Sequence, residues 1–272
     1  IAPLKEMYTF GVKVFFTNIF NQINANVFSV LLGRFYKPEQ VGYYTQGNKW
    51  MNMGYSFIWN MMGGVSLPVL TEVASDIERQ RKVFRKMLRF VSFVSFPSML
   101  GLAFVAPELI VIGVSDKWLP CVPVMQLLCI WGAVTPIANL YSHVLLSHGK
   151  SDLYLYNTVA LGVLQLAIIV SVLSLGIYYM VLAFVVVNLL WLFVWHHLVN
   201  KCMNISVWDV LKDISPFCAI TCVVLVCTYY VTYSIENIYL LFVGKIVVAA
   251  ILYCICMYLS NSVIFRDAIN VL

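Results

Sequence analysis

Apolar residues are gathered in eight long stretches, separated by charged residues, glycine or proline. A helix crosses the hydrocarbon layer of a bilayer, about 30 Å thick, with about 20 residues. The stretches of sufficient length are 8–32, 41–66, 87–114, 122–146, 153–175, 178–199, 214–233 and 238–259. The pattern predicts an all-α, polytopic membrane helix bundle of about eight transmembrane helices. Several connections are so short that consecutive helices must be antiparallel neighbours.

The composition supports a membrane protein. Of the 272 residues, 62% are apolar and 11% are charged, and the mean hydropathy is +0.88. A soluble domain has about 45–50% apolar and about 25% charged residues. With so little charge, and a net charge of only +5, we expect no nucleic-acid partner. Five of the eight cysteines lie inside apolar runs, where a thiol acts as a small hydrophobic group, so we predict no metal site and no cofactor.

Lysine and arginine are distributed unequally when the predicted loops are assigned to alternate sides of the membrane. Twelve fall on the side of the N-terminus and three on the other: Lys5, Lys13, Arg79, Arg81, Lys82, Arg85, Lys86, Arg89, Lys150, Lys201, Lys212 and Arg266, against Arg34, Lys37 and Lys117. Positive charge is retained in cytoplasmic loops. The bias therefore predicts that both termini of this chain are cytoplasmic.

The long connection after the second span has the pattern of an amphipathic helix, predicted over residues 71–89. Its apolar face would carry Val73, Ile77, Phe84 and Leu88, and its basic flanks would carry Arg79, Arg81, Lys82, Arg85 and Lys86. Such a helix can lie on a membrane surface and bind anionic lipid. A basic cluster that only fixes the topology is the alternative.

Polar residues follow one face of each of the first two spans. At about 100° per residue, the polar residues fall within an arc of about 140° on the first span and about 120° on the second. They are Asn18, Asn21, Gln22 and Asn26 on the first span and Gln46, Lys49, Asn52, Ser56 and Asn60 on the second. Polar side chains are costly in hydrocarbon and usually face the bundle interior or a water-filled cavity. The stripes predict a shared substrate-binding cavity, with hydrogen bonding between packed helices as the alternative.

Two charged residues lie inside the predicted spans. Lys49 is eight residues into the second span, about 12 Å deep, and no acid of the neighbouring spans is an obvious partner. We predict that it is the principal anion contact, the alternative being a side chain that extends to the outer head groups. Glu108 lies toward the outer end of the third span, where an interfacial position is favoured over a proton or cation site.

The sequence contains no arrangement typical of an enzyme: no Ser/His/Asp set, no glycine-rich phosphate loop and no paired acids on a sizeable loop. We therefore predict a transporter and no enzymatic activity. A drug or ion antiporter would need buried acids or an aromatic cage. A membrane-embedded polysaccharide polymerase or glycosyltransferase would need a large outer loop with Arg and His, or an Asp-x-Asp site. A structural role, as a membrane subunit without transport activity, is a further alternative.

A series of short motifs carries a family resemblance. It comprises Leu32-Gly33-Arg34-Phe35-Tyr36, Val41-Gly42-Tyr43-Tyr44-Thr45-Gln46, Val65-Ser66-Leu67-Pro68, Asp76-Ile77-Glu78-Arg79, the segment from Pro97 to Gly101, Lys117-Trp118 and His148-Gly149-Lys150-Ser151. The series resembles the Wzx-type polysaccharide and O-antigen flippases of the multidrug/oligosaccharide-lipid/polysaccharide exporter superfamily. The resemblance covers residues 5–155, and the remainder agrees by hydropathy. Members often have an acid near the position of Phe28, and this sequence has none there.

The resemblance implies an architecture and a function. Such proteins have two six-helix lobes. Residues 1–200 would then be the second lobe, and residues 201–272 would be an additional transmembrane pair with a C-terminal tail. A first lobe would precede residue 1. The implied function is to move an undecaprenyl-pyrophosphate-linked oligosaccharide from the cytoplasmic to the outer face of the bacterial inner membrane by alternating access. The implied partners are this substrate, anionic membrane lipid, the missing N-terminal lobe and polysaccharide polymerase machinery.

Overall fold

The structure, a computed structural model, describes residues 2–260, without the side chains of residues 2–7, 9–10 and 23–28. This part of the chain forms nine α-helices and two short 3-10 helices, and it contains no strand. The α-helices are α1 Ala2–Phe35, α2 Pro38–Glu72, α3 Ile77–Phe104, α4 Ala106–Gly113, α5 Val122–Ser147, α6 Ser151–Ser171, α7 Ile177–Met203, α8 Val207–Thr232 and α9 Ile238–Leu259. The predicted all-α membrane bundle is confirmed.

Six of the described helices are both long and apolar enough to cross a membrane: α3, α5 together with the short turn before it, α6, α7, α8 and α9. The chain is therefore a multi-pass membrane protein. Helices α1 and α2 coincide with the first two predicted spans and contain 34 and 35 residues, a length of about 50 Å. These two helices are long enough to cross a membrane but are less apolar than the other six, because both carry the polar stripes noted above.

Local sequence explains where the helices begin and break. Asp76 starts α3, because its side chain accepts a hydrogen bond from the backbone amide of Arg79 (3.0 Å). The third predicted span is divided: α3 ends at Phe104 and α4 begins at Ala106. Pro107 lies in the first turn of α4, where a missing amide proton is tolerated. Gly176, with φ of +105°, provides the turn before α7.

The predicted separate surface helix over residues 71–89 is wrong in its boundaries. Residues 71–72 end α2, a short turn follows, and α3 then runs without interruption from Ile77 to Phe104. The basic segment is therefore the first part of α3. Phe84 and Leu88 are completely buried, as an apolar face requires, but Ile77 is 47% exposed. The segment continues into the span because nothing after Asp76 ends the helix.

Helix α5 is the centre of the bundle, packing against α2, α3 and α7. Gly47 allows α2 to approach α5 closely, since a Cβ atom at that position would lie 3.2 Å from the backbone nitrogen of Met125. Helix α1 packs mainly on α6 and has little contact with α2. Its contact with α2 is weaker than the contact between α2 and α3 or between α8 and α9.

Helices α8 and α9 form a hairpin on the outside of the bundle, with α8 against α3 and α9 against α4.

We call the end of the bundle that holds the α2–α3, α5–α6 and α7–α8 turns the basic end, because most lysines and arginines lie there. At this end Gln80 is fully buried and donates to the Leu70 carbonyl and to Ser147, both at 3.0 Å. Its side-chain oxygen bonds His148 (2.8 Å). Burial, and secondarily the charge of Lys150, lowers the pKa of His148, which favours the neutral ring in this junction.

Candidate functional site

A cavity of about 450 Å³ lies between helices α1, α2, α5, α6 and α7. Its polar lining is dominated by amide side chains, which are Asn21, Asn48, Asn52, Asn139, Gln165 and Asn188. Its aromatic lining residues are Tyr44, Trp131, Tyr154, Phe184 and Trp195. None of the described lining residues carries a charge. The volume is within the range of roughly 300–1,000 Å³ that is typical of small-molecule sites.

Helical spacing brings the polar side chains of α5 into the cavity. Trp131, Thr135, Asn139 and Ser142 line it together, at intervals of three or four residues that place them on one face of the helix. The remaining faces of α5 pack on its neighbours, so its other residues form much of the hydrophobic core. A mostly apolar span thus presents a polar face to the cavity.

Hydrogen bonds hold several of the lining amides in place. Gln165 donates to the side-chain oxygen of Asn188 (2.9 Å), and Asn188 donates to the Phe184 carbonyl (2.7 Å). Asn139 donates to the hydroxyl of Tyr55 (2.8 Å), and Asn52 to the carbonyl of its own helix at Asn48 (2.8 Å). An amide side chain has two donor hydrogens and an oxygen with two lone pairs. Asn52 and Asn139 therefore retain capacity for a ligand.

Of the nine predicted cavity residues, Asn21 and Asn52 line the cavity. Most of the others are on the surface of the chain or half-buried and do not line it: Asn18, Gln22, Lys49, Ser56 and Asn60 are exposed and Gln46 is half-buried. The side chain of Asn26 lies outside the described residues. The two predicted stripes are thus only partly brought together. Lys49 follows Asn48 directly on α2, next to the cavity wall.

The sequence reasoning missed the polar residues that α5, α6 and α7 contribute. Asn139, Gln165 and Asn188 are amides deep within apolar spans, and the last two are nearly fully buried. The rule applied to the first two spans, that a polar residue inside a span faces the bundle interior, would have identified them. They were overlooked because each helix has few such residues, which do not form an evident stripe.

The basic residues predicted to lie on the membrane surface fall into two groups in the structure, one that contacts other helices and one that is exposed. Arg81 donates to the Met203 carbonyl (3.0 and 2.8 Å), and Arg85 binds the carboxylate of Asp213 (2.6 and 3.2 Å). Arg89 donates to the same carboxylate (2.6 Å). These residues connect α3 to α7 and α8. The other members of the set, Arg79, Lys82 and Lys86, are exposed.

Glu108 has a buried partner that the sequence analysis did not identify. It is buried beneath α9, and its side chain pairs with the ammonium group of Lys245 at 2.6 Å. That ammonium group also lies 4.7 Å from the centre of the Phe104 ring, where a cation is attracted by the aromatic face. The pair was not foreseen because Lys245 is 137 residues away along the chain, and the interfacial position of Glu108 stays a prediction. In the described part of the chain, no cluster of three His, Cys, Asp or Glu residues could hold a metal ion.

Sequence comparison confirms the resemblance to polysaccharide biosynthesis proteins in the first half of the chain. Residues 1–123 match the profile of a family described as "Polysaccharide biosynthesis protein". The chain is 30% identical over 153 residues to an uncharacterized membrane protein in the cps region of Klebsiella pneumoniae. The aligned residues cover 56% of this chain and 32% of that protein.

Two further relatives have named roles. The chain is 28% identical over 156 residues to the teichuronic acid biosynthesis protein TuaB of Bacillus subtilis, covering 57% of this chain and 32% of TuaB. It is 25% identical over 153 residues to the lipopolysaccharide biosynthesis protein WzxC of Escherichia coli, covering 56% of this chain and 31% of WzxC. Each matching region thus spans about a third of the relative's length.

Structural comparison identifies the fold. The chain superposes on the lipid II flippase MurJ in its inward closed conformation with a TM-score of 0.72 and 19% sequence identity. The superposition covers 94% of this chain and 53% of MurJ. The fold is therefore similar to about half of a MurJ-like protein, and it includes the helices that lie beyond the region of sequence similarity.

Proposed function

We propose that this chain is the second lobe, with an additional helix pair, of a flippase that moves a lipid-linked oligosaccharide across the bacterial inner membrane. The observation that carries the proposal is the cavity between α1, α2, α5, α6 and α7, whose described lining is uncharged and consists largely of amides and aromatic rings. The similarity to proteins of polysaccharide biosynthesis and the MurJ-like fold support it. The substrate would be linked to undecaprenyl pyrophosphate, and both termini of this chain would be cytoplasmic.

The proposed division of the chain lies close to the turn between α7 and α8. Residues 1–200 would form the lobe, with six long helices, and residues 201–272 the additional pair and tail. A first lobe, preceding residue 1 in the complete protein, would face α1 and α2, and rocking of the two lobes would alternate access to the substrate. The exposed residues Arg79, Lys82 and Lys86 would contact anionic lipid head groups, and polysaccharide polymerase machinery would receive the product.

The lining of the cavity favours transport over the alternative functions. Amides, hydroxyls and aromatic rings bind a ligand, but the described lining offers no acid, histidine or cysteine for acid–base or nucleophilic catalysis. A drug or ion antiporter of the same superfamily would place an acid in the cavity to bind a cation. We therefore favour an oligosaccharide substrate and no enzymatic step.

Lys49 is the proposed contact for the pyrophosphate group. Its side chain is exposed on α2, next to the lining residues Asn48 and Asn52. The test is export of the lipid-linked saccharide by the complete protein in a strain that lacks its own flippase. We expect Lys49→Glu to abolish export and Lys49→Arg to retain much of it.

Lys37 provides the matched control, because it is an exposed lysine at the start of the same helix and away from the cavity. We expect Lys37→Glu to support normal export at equal protein level in the membrane. Full export by Lys49→Glu would refute the pyrophosphate contact and favour a side chain that extends to the head groups. Absence of export by the unaltered protein would refute the flippase function itself.

A further inference from the structure

We propose that the cavity is a subsite for an uncharged sugar ring of the substrate and that it excludes acidic sugars and the pyrophosphate group. This inference rests on the proposed function and specifies which part of the substrate enters the lobe. Its basis is the chemistry of the lining, which combines amides with aromatic rings and contains no charge among the described residues.

The lining matches the surface of a sugar. Sugar hydroxyls both donate and accept hydrogen bonds, and amide side chains do the same. Asn52 and Asn139 each use one described hydrogen bond and retain further donors and acceptors. The C–H face of a sugar ring is apolar and can lie on an aromatic ring, and Trp131 and Tyr154 are placed in the wall of the cavity.

The absence of a cation in the described lining makes the cavity selective. An ionised carboxylate or phosphate that leaves water requires a paired opposite charge, without which the transfer is strongly unfavourable. The polar partners that the described part of the wall offers to such a group are all uncharged. Lys49 lies beside the wall and not in it, so an anion would remain outside the cavity while a neutral ring enters.

Helix α1 forms part of the cavity wall and is held on the α6 side at two points. Helix α1 is attached to α6 at the basic end by the ion pair of Lys13 and Asp152. At the other end, the hydroxyl of Tyr36 donates to the Leu173 carbonyl, in the turn after α6. Because α1 is held on α6 and has little contact with α2, we place the entrance for the ligand between α1 and α2.

The test compares sugar binding by the purified complete protein in detergent, measured by saturation-transfer NMR and titration. The probes are glucose, N-acetylglucosamine, glucuronate and inorganic pyrophosphate. We expect both neutral sugars to bind, glucuronate to bind at least about tenfold more weakly, and pyrophosphate not to displace glucose. A tenfold difference corresponds to about 1.4 kcal/mol.

A charge introduced into the wall should change this selectivity. We expect Asn52→Lys to bring glucuronate binding to at least the level of glucose binding, while Asn52→Gln keeps the original preference. Asn60→Lys is the matched control, because Asn60 is exposed on the same helix and does not line the cavity. It should leave the ratio unchanged.

Three results would overturn the inference: failure of the neutral sugars to bind, equal binding of glucuronate by the unaltered protein, or an equal effect of Asn52→Lys and Asn60→Lys. None of these would refute the flippase function, which the export assay with Lys49 variants tests separately. Conversely, selective sugar binding without any export would support the subsite and contradict the flippase.

Discussion

The cavity and the interface that holds the α8–α9 hairpin both place polar side chains inside apolar helices, but they use different chemistry. The cavity uses amides, hydroxyls and aromatic rings, and its described lining has no charge. The hairpin interface uses full charges in close pairs: Arg85 and Arg89 with Asp213, and Lys245 with Glu108, each with a contact at 2.6 Å.

The difference reflects what each region does. A paired charge in a low-dielectric site has one well-defined partner, and losing that partner is costly. Such a pair fixes the position of a helix. An amide that keeps free donors and acceptors can exchange water for a ligand at little cost. The cavity can therefore bind and release a ligand, while the hairpin remains attached.

The two sets of charges hold opposite ends of the hairpin. Asp213, near the start of α8, is attached to α3 at the basic end, and Lys245 of α9 is attached to α4 toward the other end. Between them, the hydroxyl of Tyr253 donates to the Phe93 carbonyl (2.9 Å). We expect the hairpin to move with α3 and α4 as one body.

Breaking the pair of Glu108 and Lys245 should have the largest effect on stability. The two side chains are only 9% and 10% exposed, and removing one partner of a buried pair costs roughly 3–5 kcal/mol. We expect Glu108→Ala to lower the free energy of unfolding by about this amount. The measurement is denaturation of the purified protein in detergent.

The double variant Glu108→Leu with Lys245→Met separates the cost of an unpaired charge from that of lost packing. Replacing both members of a buried ion pair by apolar groups is often neutral or stabilising, so this variant should unfold close to the unaltered protein. If it were as unstable as Glu108→Ala, the charges would not be the reason for the loss.

Removing Asp213 should have the next largest effect. Its side chain is 3% exposed, but the side chains of Arg85 and Arg89 are 29% and 41% exposed and can be partly hydrated. We expect Asp213→Ala to lower the free energy of unfolding by about 3 kcal/mol, the lower end of the range for broken buried pairs. Spin labels on α3 and α8 should also report a broader distance distribution, because the hairpin loses its attachment at the basic end.

Asp209 is the control for this prediction. It is 44% exposed and lies 3.8 Å from Arg85, and an exposed pair of this kind contributes about 0–1 kcal/mol. Asp209→Ala should therefore cost little and leave the distance distribution narrow. Equal effects of the two variants would indicate that general negative charge, and not the specific carboxylate of Asp213, holds the hairpin.

The sequence predicted the helices far better than their polar contacts. Apolar stretches of membrane-spanning length, interrupted by proline and glycine, are local signals, and they located all eight long helices. The start of α3 was missed because the basic segment after Asp76 resembles a surface helix and is continuous with the span.

The ion pairs could not be predicted, because no local signal connects Glu108 to Lys245 or Arg85 to Asp213, residues that are 137 and 128 positions apart. Asn21 and Asn52 were identified as cavity residues from helical periodicity alone. Periodicity on one helix shows which residues share a face, but not how far that face is rotated toward its neighbours. This is why Asn18 and Ser56, on the same predicted stripes, do not line the cavity.

The smallest effect is expected in the cavity itself. Asn139→Ala removes the hydrogen bond to Tyr55, but Asn139 itself lines the cavity, so a water molecule can take the place of the lost amide. We expect a loss of about 0.5–1.5 kcal/mol in the free energy of unfolding, the usual net contribution of one hydrogen bond. Asn188→Ala is the informative partner, because Asn188 is 3% exposed and its loss removes two hydrogen bonds, one from Gln165 and one to the Phe184 carbonyl. Two such bonds contribute about 1–3 kcal/mol, so this variant should be the less stable of the two. If Asn139→Ala destabilised the protein as much as Glu108→Ala, the cavity would be as rigidly held as the hairpin interface, and the distinction between a binding region and an attachment region would fail.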